Sequence, residues 1–165
     1  MQEIFNYSNS IIQEVKLDFN RYLFHEINWN SRLIEILGAR GVGKTTLLLQ
    51  KAKMLNAVKP NRAVYLSLDD KLMYNNSIID IADELVKYGV ENLFLDEVHK
   101  YPPKIKGYDW SAEIKNTYDR FPGLKIIYSG SSVLKIYKGH GDLSRRKSSY
   151  RLPGLSFREY LELNE

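Results

Sequence analysis

The chain has 165 residues, with 24 Lys and Arg against 20 Asp and Glu, three His and no Cys. This length suits one domain with a real core and is too short for two full α/β lobes. The composition, 44% hydrophobic and 27% charged, is that of an ordinary globular domain, and the short apolar runs exclude a transmembrane protein. Without cysteine there is no disulfide scaffold or thiolate metal site. Because the N-terminus lacks a signal-peptide pattern, we expect a cytoplasmic protein with no membrane partner.

The first half of the chain begins with apolar residues at helical spacing, which predict one amphipathic helix over 9–28 that packs on the core. A short predicted strand over 32–37 leads directly into a glycine-rich turn and a second helix. Residues 63–68 predict another strand. The apolar spacing over 77–88 predicts a helix that ends at Gly89.

The second half of the chain continues the alternation of strands and helices. Residues 92–95 predict a buried strand, 110–121 a helix and 124–128 a fourth strand. A short helix and a polar loop follow, and then a fifth strand over 148–152 and a last helix over 156–163. Strands that alternate with helices indicate a parallel sheet covered on both faces, so the predicted fold class is α/β.

Residues 38–45, GARGVGKT, match the full GxxxxGK[ST] pattern between a predicted strand and a predicted helix. Glycines let the backbone wrap a phosphate, and the N–H groups at the helix N-terminus point toward it. Lys44 is expected to reach the β- and γ-phosphates of ATP, and the Thr45 hydroxyl to ligate Mg²⁺. The alternative is a glycine-rich turn that binds nothing. The predicted nucleotide contacts are Gly38, Ala39, Arg40, Gly41, Val42, Gly43, Lys44, Thr45 and Thr46.

The apolar strand LFL ends in Asp96 and Glu97. An acid at the carboxyl end of a parallel strand lies at the mouth of the sheet, where ligands bind in open α/β folds. Asp96 therefore fits a Mg²⁺ role, and Glu97 is positioned to polarise a water for attack on the γ-phosphate. A strand ending in two acids is also common in capped loops, and only its pairing with the glycine-rich loop makes the pattern specific. Glu97 favours hydrolysis over phosphate transfer to a small molecule.

Two further candidates and a basic stretch follow the fourth strand. Ser129 is predicted to contact the γ-phosphate or the attacking water, the alternative being a turn whose serines cap the next helix. Arg146 lies in a polar loop, where its fixed charge suits an arginine finger on a neighbouring chain's nucleotide or an ordinary surface arginine. Residues 135–151 contain six basic residues and one acid, either a solvated face or a contact to nucleic acid, nucleotide or a protein partner.

Five ordered blocks of the sequence resemble one group of the AAA+ superfamily, the prokaryotic AAA-family ATPase domain that is usually joined to a C-terminal domain of unknown function. The blocks are GARGVGKTTLL, LFLDEVHKYP, W…IKNTYDRFP, LKIIYSGSS and DLSRR…Y.LPGLSFREYL. They extend from about Arg32 to Leu163, which is nearly the whole chain. The resemblance rests on five motifs in order rather than on a single one.

The resemblance implies a P-loop NTPase fold of the AAA+ type, with a five-stranded parallel sheet in the order 5-1-4-3-2 flanked by helices. It implies a Walker A pair, a Walker B pair and a sensor residue, which are Lys44 and Thr45, Asp96 and Glu97, and Ser129. Arg146 falls where the family has a Gly-Arg before the fifth strand, which implies the finger role and a homo-oligomer.

This chain departs from the family pattern near the fifth strand and at its end. Arg145 stands where the family has Gly, and Gly154 stands where Pro is commoner. Residues 31–165 are expected to form the ATPase core behind an N-terminal helical segment, 1–30. Family members continue past LSFREYL into a lid-like or partner-binding region, so a chain that stops at Glu165 is expected to be a fragment or a truncated product.

Two functions from different classes follow from these motifs. The first is an AAA+-type core that binds ATP and hydrolyses it with Mg²⁺, as a conformational switch. The alternative is a nucleotide-dependent DNA-binding or regulatory module with little or no hydrolysis, for which the basic stretch is the supporting feature.

Overall fold

The computed structural model describes residues 1–102, 108–131 and 143–163. The five strands in these ranges are β1 (Leu33–Gly38), β2 (Ala63–Ser67), β3 (Asn92–Asp96), β4 (Lys125–Ser131) and β5 (Ser148–Arg151). The helices in the same ranges are α1 (Gln2–Glu14), α2 (Leu23–Glu26), α3 (Lys44–Val58), α4 (Leu72–Asn75), α5 (Ile78–Lys87), α6 (Trp110–Arg120) and α7 (Phe157–Leu163). A 3-10 turn over Val98–Lys100 follows β3.

The strands form one parallel sheet in the order β2-β3-β4-β1-β5, which confirms the predicted α/β class and strand order. Leu37 of β1 lies between Gly130 of β4 and Arg151 of β5. The carboxyl ends of β1, β3 and β4 therefore meet at one edge of the sheet. That edge receives the side chains that follow each of these strands, as expected for a ligand site in an open α/β fold.

Apolar side chains cover both faces of the sheet, because strands in a parallel sheet have no solvent face. One face packs against α3 through Ile34, Ile36 and Leu48. The opposite face packs against α5 and α6 through residues such as Leu33 and Ile114. Each β1 residue is buried, so a polar side chain in this strand needs an internal partner.

Side-chain caps begin the two helices on the second face of the sheet. The Ser77 hydroxyl accepts a hydrogen bond from the Asp80 N–H, and the Asp109 carboxylate accepts from the N–H groups of Ser111 and Ala112. The helix predicted to stop at Gly89 ends at Lys87. None of the helices in the described ranges is both long and apolar enough to cross a bilayer.

The prediction of a single helix over 9–28 is wrong. Helix α1 ends at Glu14, and the backbone is extended at Val15. The chain then runs without helix to Leu23, because Gln50 and Lys53 of α3 donate hydrogen bonds to main-chain carbonyls within 15–19 of this segment. These tertiary hydrogen bonds replace the ones that a continuous helix would make within itself. Helix α1 instead covers the edge strand β2, whose Tyr65 N–H donates to the Ser8 hydroxyl.

The close approach of β5 to the end of β1 requires glycine at position 38. A Cβ atom there would lie 2.5 Å from the Leu152 carbonyl oxygen and 2.9 Å from Val42 Cγ2. We expect Gly38→Ala to destabilise the fold by about 1–3 kcal/mol, because a main-chain oxygen must move. Thermal unfolding measures the loss. Gly123→Ala is the matched control, since nothing lies within 4 Å of its added carbon, and an equal loss there would contradict the steric argument.

Candidate active site

The glycine-rich loop joins the end of β1 to the start of α3 and lies at the edge where the strands end. Gly41 and Gly43 have φ values of 80° and 98°, in the left-handed region that favours glycine. Gly43 is the N-cap of α3, so the N–H groups of the first helical turn face the loop. The buried Lys44 ammonium donates to the carbonyl oxygens of Gly38 and Ala39 at 3.1 and 2.9 Å. The loop therefore has the shape and charge of an anion site.

Asp96 at the end of β3 is the centre of a hydroxyl cluster. The residue is 2% exposed, and its carboxylate accepts hydrogen bonds from Thr45 Oγ1 at 2.5 Å, from Tyr65 at 2.9 Å and from Ser129. No lysine, arginine or histidine in the described ranges forms an ion pair with it. A buried carboxylate surrounded by neutral donors is an unneutralised charge, which suits a site for a divalent cation.

Tyr65 is a member of this cluster that the sequence analysis missed. It lies in the middle of β2, where an aromatic residue alternating with apolar ones looks like an ordinary core side chain. Burial and the neighbouring Asp96 carboxylate raise the pKa of Tyr65, which keeps its hydroxyl protonated and donating. The parallel pairing of β2 with β3 brings Tyr65 near the end of β3, where its hydroxyl donates to Asp96.

Glu97 has a main-chain conformation that is rare for a side-chain-bearing residue. Its φ is 55°, in the left-handed region, and its N–H donates to Asp96 Oδ1 at 3.0 Å and to the Ser129 hydroxyl at 3.4 Å. The carboxylate is partly exposed and lies 3.2 Å from His99 Nε2. Strained conformations of this kind cost about 1–3 kcal/mol and concentrate at functional sites.

Ser129 is fully buried in β4, with its hydroxyl on Asp96 and within reach of the Glu97 N–H. In this arrangement the hydroxyl joins the two acids rather than facing outward. The other serines predicted to cap a following helix are Ser131, which is the last residue of β4, and Ser132, which lies outside the described residues.

The five residues predicted from the motifs thus come together at one edge of the sheet: Lys44, Thr45, Asp96, Glu97 and Ser129. The residue set also fits Mg²⁺, since one hydroxyl and one carboxylate in direct contact are hard oxygen donors. The described residues contain no group of three acidic, histidine or cysteine side chains that would enclose a metal ion completely. Mg²⁺ keeps several waters and phosphate oxygens as ligands, so two protein oxygens are enough.

A buried ion pair that the motifs did not predict connects the glycine-rich loop to the end of the described chain. Arg21 Nε donates to Glu159 Oε1 at 2.8 Å, and both side chains are less than 10% exposed. The same guanidinium donates to the Val42 carbonyl oxygen of the loop and to the carbonyl oxygens of Pro153 and Gly154. Nothing local in the sequence indicates the pair, because the two residues are 138 positions apart.

A cavity of about 320 Å³ lies beside the loop, on the side of this ion pair. Gly43 and Thr46 form one wall, and apolar or aliphatic parts of Phe19, Leu47 and Leu155 form others. A ligand whose phosphates lie in the loop can extend a flat apolar group into this cavity. Pockets of this size and character are typical of small-molecule sites.

Arg146 lies away from these residues. It precedes β5, and so lies at the opposite end of the sheet from the glycine-rich loop, where its guanidinium pairs with Asp119 at 3.1 Å. Lys147 beside it pairs with the buried Glu35 at 2.6 Å. Arg146 therefore does not contribute to its own chain's site. Of the other basic residues in 135–151, Lys135 and Lys138 lie outside the described residues, and Arg145 and Arg151 are exposed.

Comparisons with known proteins bear on the family and the fold of this chain. An uncharacterized protein of Methanocaldococcus jannaschii is 33% identical over 141 residues, which are 84% of this chain and 29% of that protein. This chain thus spans less than a third of the relative's length. Among solved structures, DnaA of Aquifex aeolicus bound to AMPPCP matches with a TM-score of 0.58 at 20% identity, over 98% of this chain and 50% of that one.

The yeast Hsp104–ADP complex matches with a TM-score of 0.62 at 17% identity, over 95% of this chain and 25% of that one. At these identities the likeness shows the fold, which is that of the AAA+ ATPases. A family model described as an AAA domain matches residues 30–161. The resemblance seen in the sequence motifs is confirmed, and the chain belongs to the AAA domain family, with a nucleotide-binding core of the ATPase type.

Proposed function

We propose that this chain binds ATP with Mg²⁺ and hydrolyses it, using the cycle as a conformational switch. The supporting observation is the contact of 2.5 Å between the Thr45 hydroxyl and the Asp96 carboxylate, with Glu97 next to it at the mouth of the sheet. This contact brings the end of β3 to the start of α3. The glycine-rich loop and the acidic end of β3, the two motifs that a nucleoside triphosphatase needs, therefore lie side by side.

Phosphate binding is assigned to the loop and to Lys44. The N–H groups at the start of α3 and the dipole of the helix favour an anion. Lys44 exchanges its two carbonyl partners for the β- and γ-phosphates. Thr45 and Asp96 would hold Mg²⁺, which would supply positive charge to neutralise the phosphates. The adenine base is assigned to the cavity beside Thr46 and Leu155.

Glu97 is assigned as the general base. Its carboxylate is partly exposed at the mouth of the site, where it can accept a proton from a water aligned with the γ-phosphate. The Glu97 N–H donates hydrogen bonds to Asp96 and Ser129, and these bonds fix the position of the Glu97 main chain. Ser129 acts in this proposal as a positioning residue for both acids, in addition to its predicted role as a sensor.

Arg146 is assigned a role only between chains, as an arginine finger on a neighbour's nucleotide. Its position at the opposite end of the sheet supports this assignment, because it cannot reach its own loop. Its pairing with Asp119 has to open for this role. Turnover per chain that rises with protein concentration, and loses that dependence in Arg146→Ala, is the expected behaviour.

The test of the proposal is ATP binding and Mg²⁺-dependent phosphate release by the chain and by Lys44→Ala. We expect Lys44→Ala to weaken ATP binding by about 10- to 100-fold, because a charge-assisted contact is worth about 1.5–3 kcal/mol. Lys87→Ala on α5 is the matched control, because this substitution removes the same charge from an exposed position far from the loop. ATP affinity that is unchanged in Lys44→Ala would contradict the proposal.

The DNA-binding alternative remains a prediction with less support. The described cations Arg146 and Lys147 are paired with acids of the same chain, which reduces the charge available to phosphates. A solved structure of DnaA bound to AMPPCP and single-stranded DNA matches with a TM-score of 0.54 at 20% identity, over 81% of this chain and 44% of that one, a likeness of fold alone. Salt-sensitive DNA binding without ATP turnover would favour the alternative.

A further inference from the structure

A second cavity, of about 410 Å³, lies at the other end of the sheet from the glycine-rich loop. We name it the Lys51 pocket, and its lining includes Trp29, Lys51, Arg62, Asn92 and Lys125. Asn92 and Lys125 are the first residues of β3 and β4. Lys51 lies about 10 Å along α3 from Lys44, because each helical residue adds 1.5 Å. The pocket is therefore separate from the nucleotide site.

Positive charge dominates this pocket. Lys51, Arg62 and Lys125 all line it, against the single carboxylate of Glu91. That carboxylate already accepts from Arg62 at 2.7 Å and from Lys59 at 2.9 Å. Among the described residues, the partner of Lys125 Nζ is the main-chain oxygen of Trp29, at 3.3 Å. The described residues that line the pocket therefore carry an excess of positive charge.

Lys51 is the least compensated of the three cations. Its ammonium lies 5.0 Å from the centre of the Trp29 ring, and it has no ion pair with any described acid. Partial burial lowers the pKa of Lys51, and the positive charges of Lys125 and Arg62 lower it further. Repulsion between this lysine and two other cations lowers the stability of the folded state, and an anion bound among them would offset the repulsion.

We propose that the Lys51 pocket binds a small phosphorylated molecule, with its phosphate groups between Lys51, Arg62 and Lys125. Three cations that line one concave space suit a compact, multiply charged group, because each can approach a different oxygen. The Trp29 ring, which is partly exposed, gives the pocket an apolar surface for the rest of the ligand. The volume lies within the range of small-ligand pockets, whereas a nucleic-acid backbone needs an open, extended row of cations.

The experiment is a titration with sodium pyrophosphate followed by ¹H–¹⁵N NMR at constant ionic strength, with Mg²⁺ absent. One spectrum separates the two sites, because the amides of 38–45 report on the loop while the Trp29 indole and the Lys51 and Lys125 amides report on the pocket. We expect saturable shifts of both sets, with independent affinities. Shifts confined to the loop, or reproduced by sodium chloride, would overturn the proposal.

Charge-removing variants assign the binding to the named lysines. Lys51→Gln is expected to weaken pyrophosphate binding at the pocket at least tenfold, to leave the loop resonances and their affinity unchanged, and to keep or raise the melting temperature. Lys125→Gln is expected to weaken binding similarly and serves as the second variant if the first folds poorly. Lys87→Gln, on the opposite face of the sheet, is expected to change neither affinity. Equal pocket affinities in all four proteins would overturn the proposal.

Two further ligands distinguish the source of the phosphate. A phosphorylated sugar is expected to shift the same resonances, with additional shifts around the Trp29 ring from its sugar part. A short DNA duplex is expected to leave the pocket resonances unmoved at the same phosphate concentration. Tighter binding of the duplex than of pyrophosphate at these resonances would overturn the small-molecule assignment in favour of nucleic acid.

Discussion

Glu97→Gln is expected to lower the rate of ATP hydrolysis by about 10²- to 10⁴-fold while ATP affinity stays within a few-fold of the unchanged chain. Glutamine keeps the length of the side chain and a hydrogen bond to His99, but its amide cannot accept the proton of the attacking water. The main-chain contacts of this residue to Asp96 and Ser129 do not involve the carboxylate, so they persist. Phosphate release and equilibrium binding of a fluorescent ATP analogue measure the two effects separately.

Controls for this prediction separate chemistry from structure. Glu84→Gln removes an equivalent charge from the exposed face of α5 and is expected to leave the rate unchanged. Glu97→Gly is expected to lose activity and yet raise the melting temperature, because glycine relieves the left-handed conformation at φ 55°. If Glu97→Gln hydrolysed ATP at the original rate, the general base would be another group.

Arg21→Met is expected to destabilise the fold by about 3–5 kcal/mol, the usual cost of breaking one partner of a buried ion pair. The change leaves the Glu159 carboxylate buried without its cation, and leaves the carbonyl oxygens of Val42 and Pro153 without a donor. For a domain of this length the melting temperature should fall by roughly 10 °C. ATP affinity should fall as well, because Arg21 fixes the glycine-rich loop through Val42.

The control for Arg21→Met is the double variant Arg21→Met/Glu159→Leu. Removing both charges avoids an uncompensated buried carboxylate, so we expect the double variant to be more stable than the single one. Lys87→Met breaks an exposed ion pair on α5 and is expected to cost less than about 1 kcal/mol. A single variant as stable as this surface control would show that the Arg21–Glu159 pair is unimportant for folding.

The same ion pair predicts a dependence of stability on acid. Burial alone raises the pKa of Glu159, but the hydrogen bonds from Arg21 and from the N–H groups of Ser156 and Tyr22 outweigh it and lower the pKa to about 2. A carboxyl whose pKa is lower in the folded state stabilises the fold above its ordinary pKa of 4.5. This stabilisation is lost as the pH falls from about 4.5 toward 2. Across this pH window, the free energy of unfolding of Glu159→Gln should decline less steeply than that of the unchanged chain.

Much of the candidate site followed from the sequence, because its elements are local. The spacing in GARGVGKT and the two acids after LFL specify a turn, a helix N-terminus and a strand end within a few residues each. Alternating strands and helices indicated a parallel sheet, in which these ends share one edge. The strand order itself came from the resemblance to a family, since periodicity does not reveal which strands are neighbours.

The sequence by itself therefore determined the fold class, the glycine-rich loop and the positions of Lys44, Asp96 and Glu97. The tertiary structure alone decided the partners that are distant in the chain. These are the Tyr65 hydroxyl on Asp96, the Arg21–Glu159 pair and the pocket around Lys51. It also decided where α1 ends, because side chains of α3 take the hydrogen bonds that would have continued the helix. Local patterns encode local geometry, whereas these contacts depend on how strands and helices pack across the whole sheet.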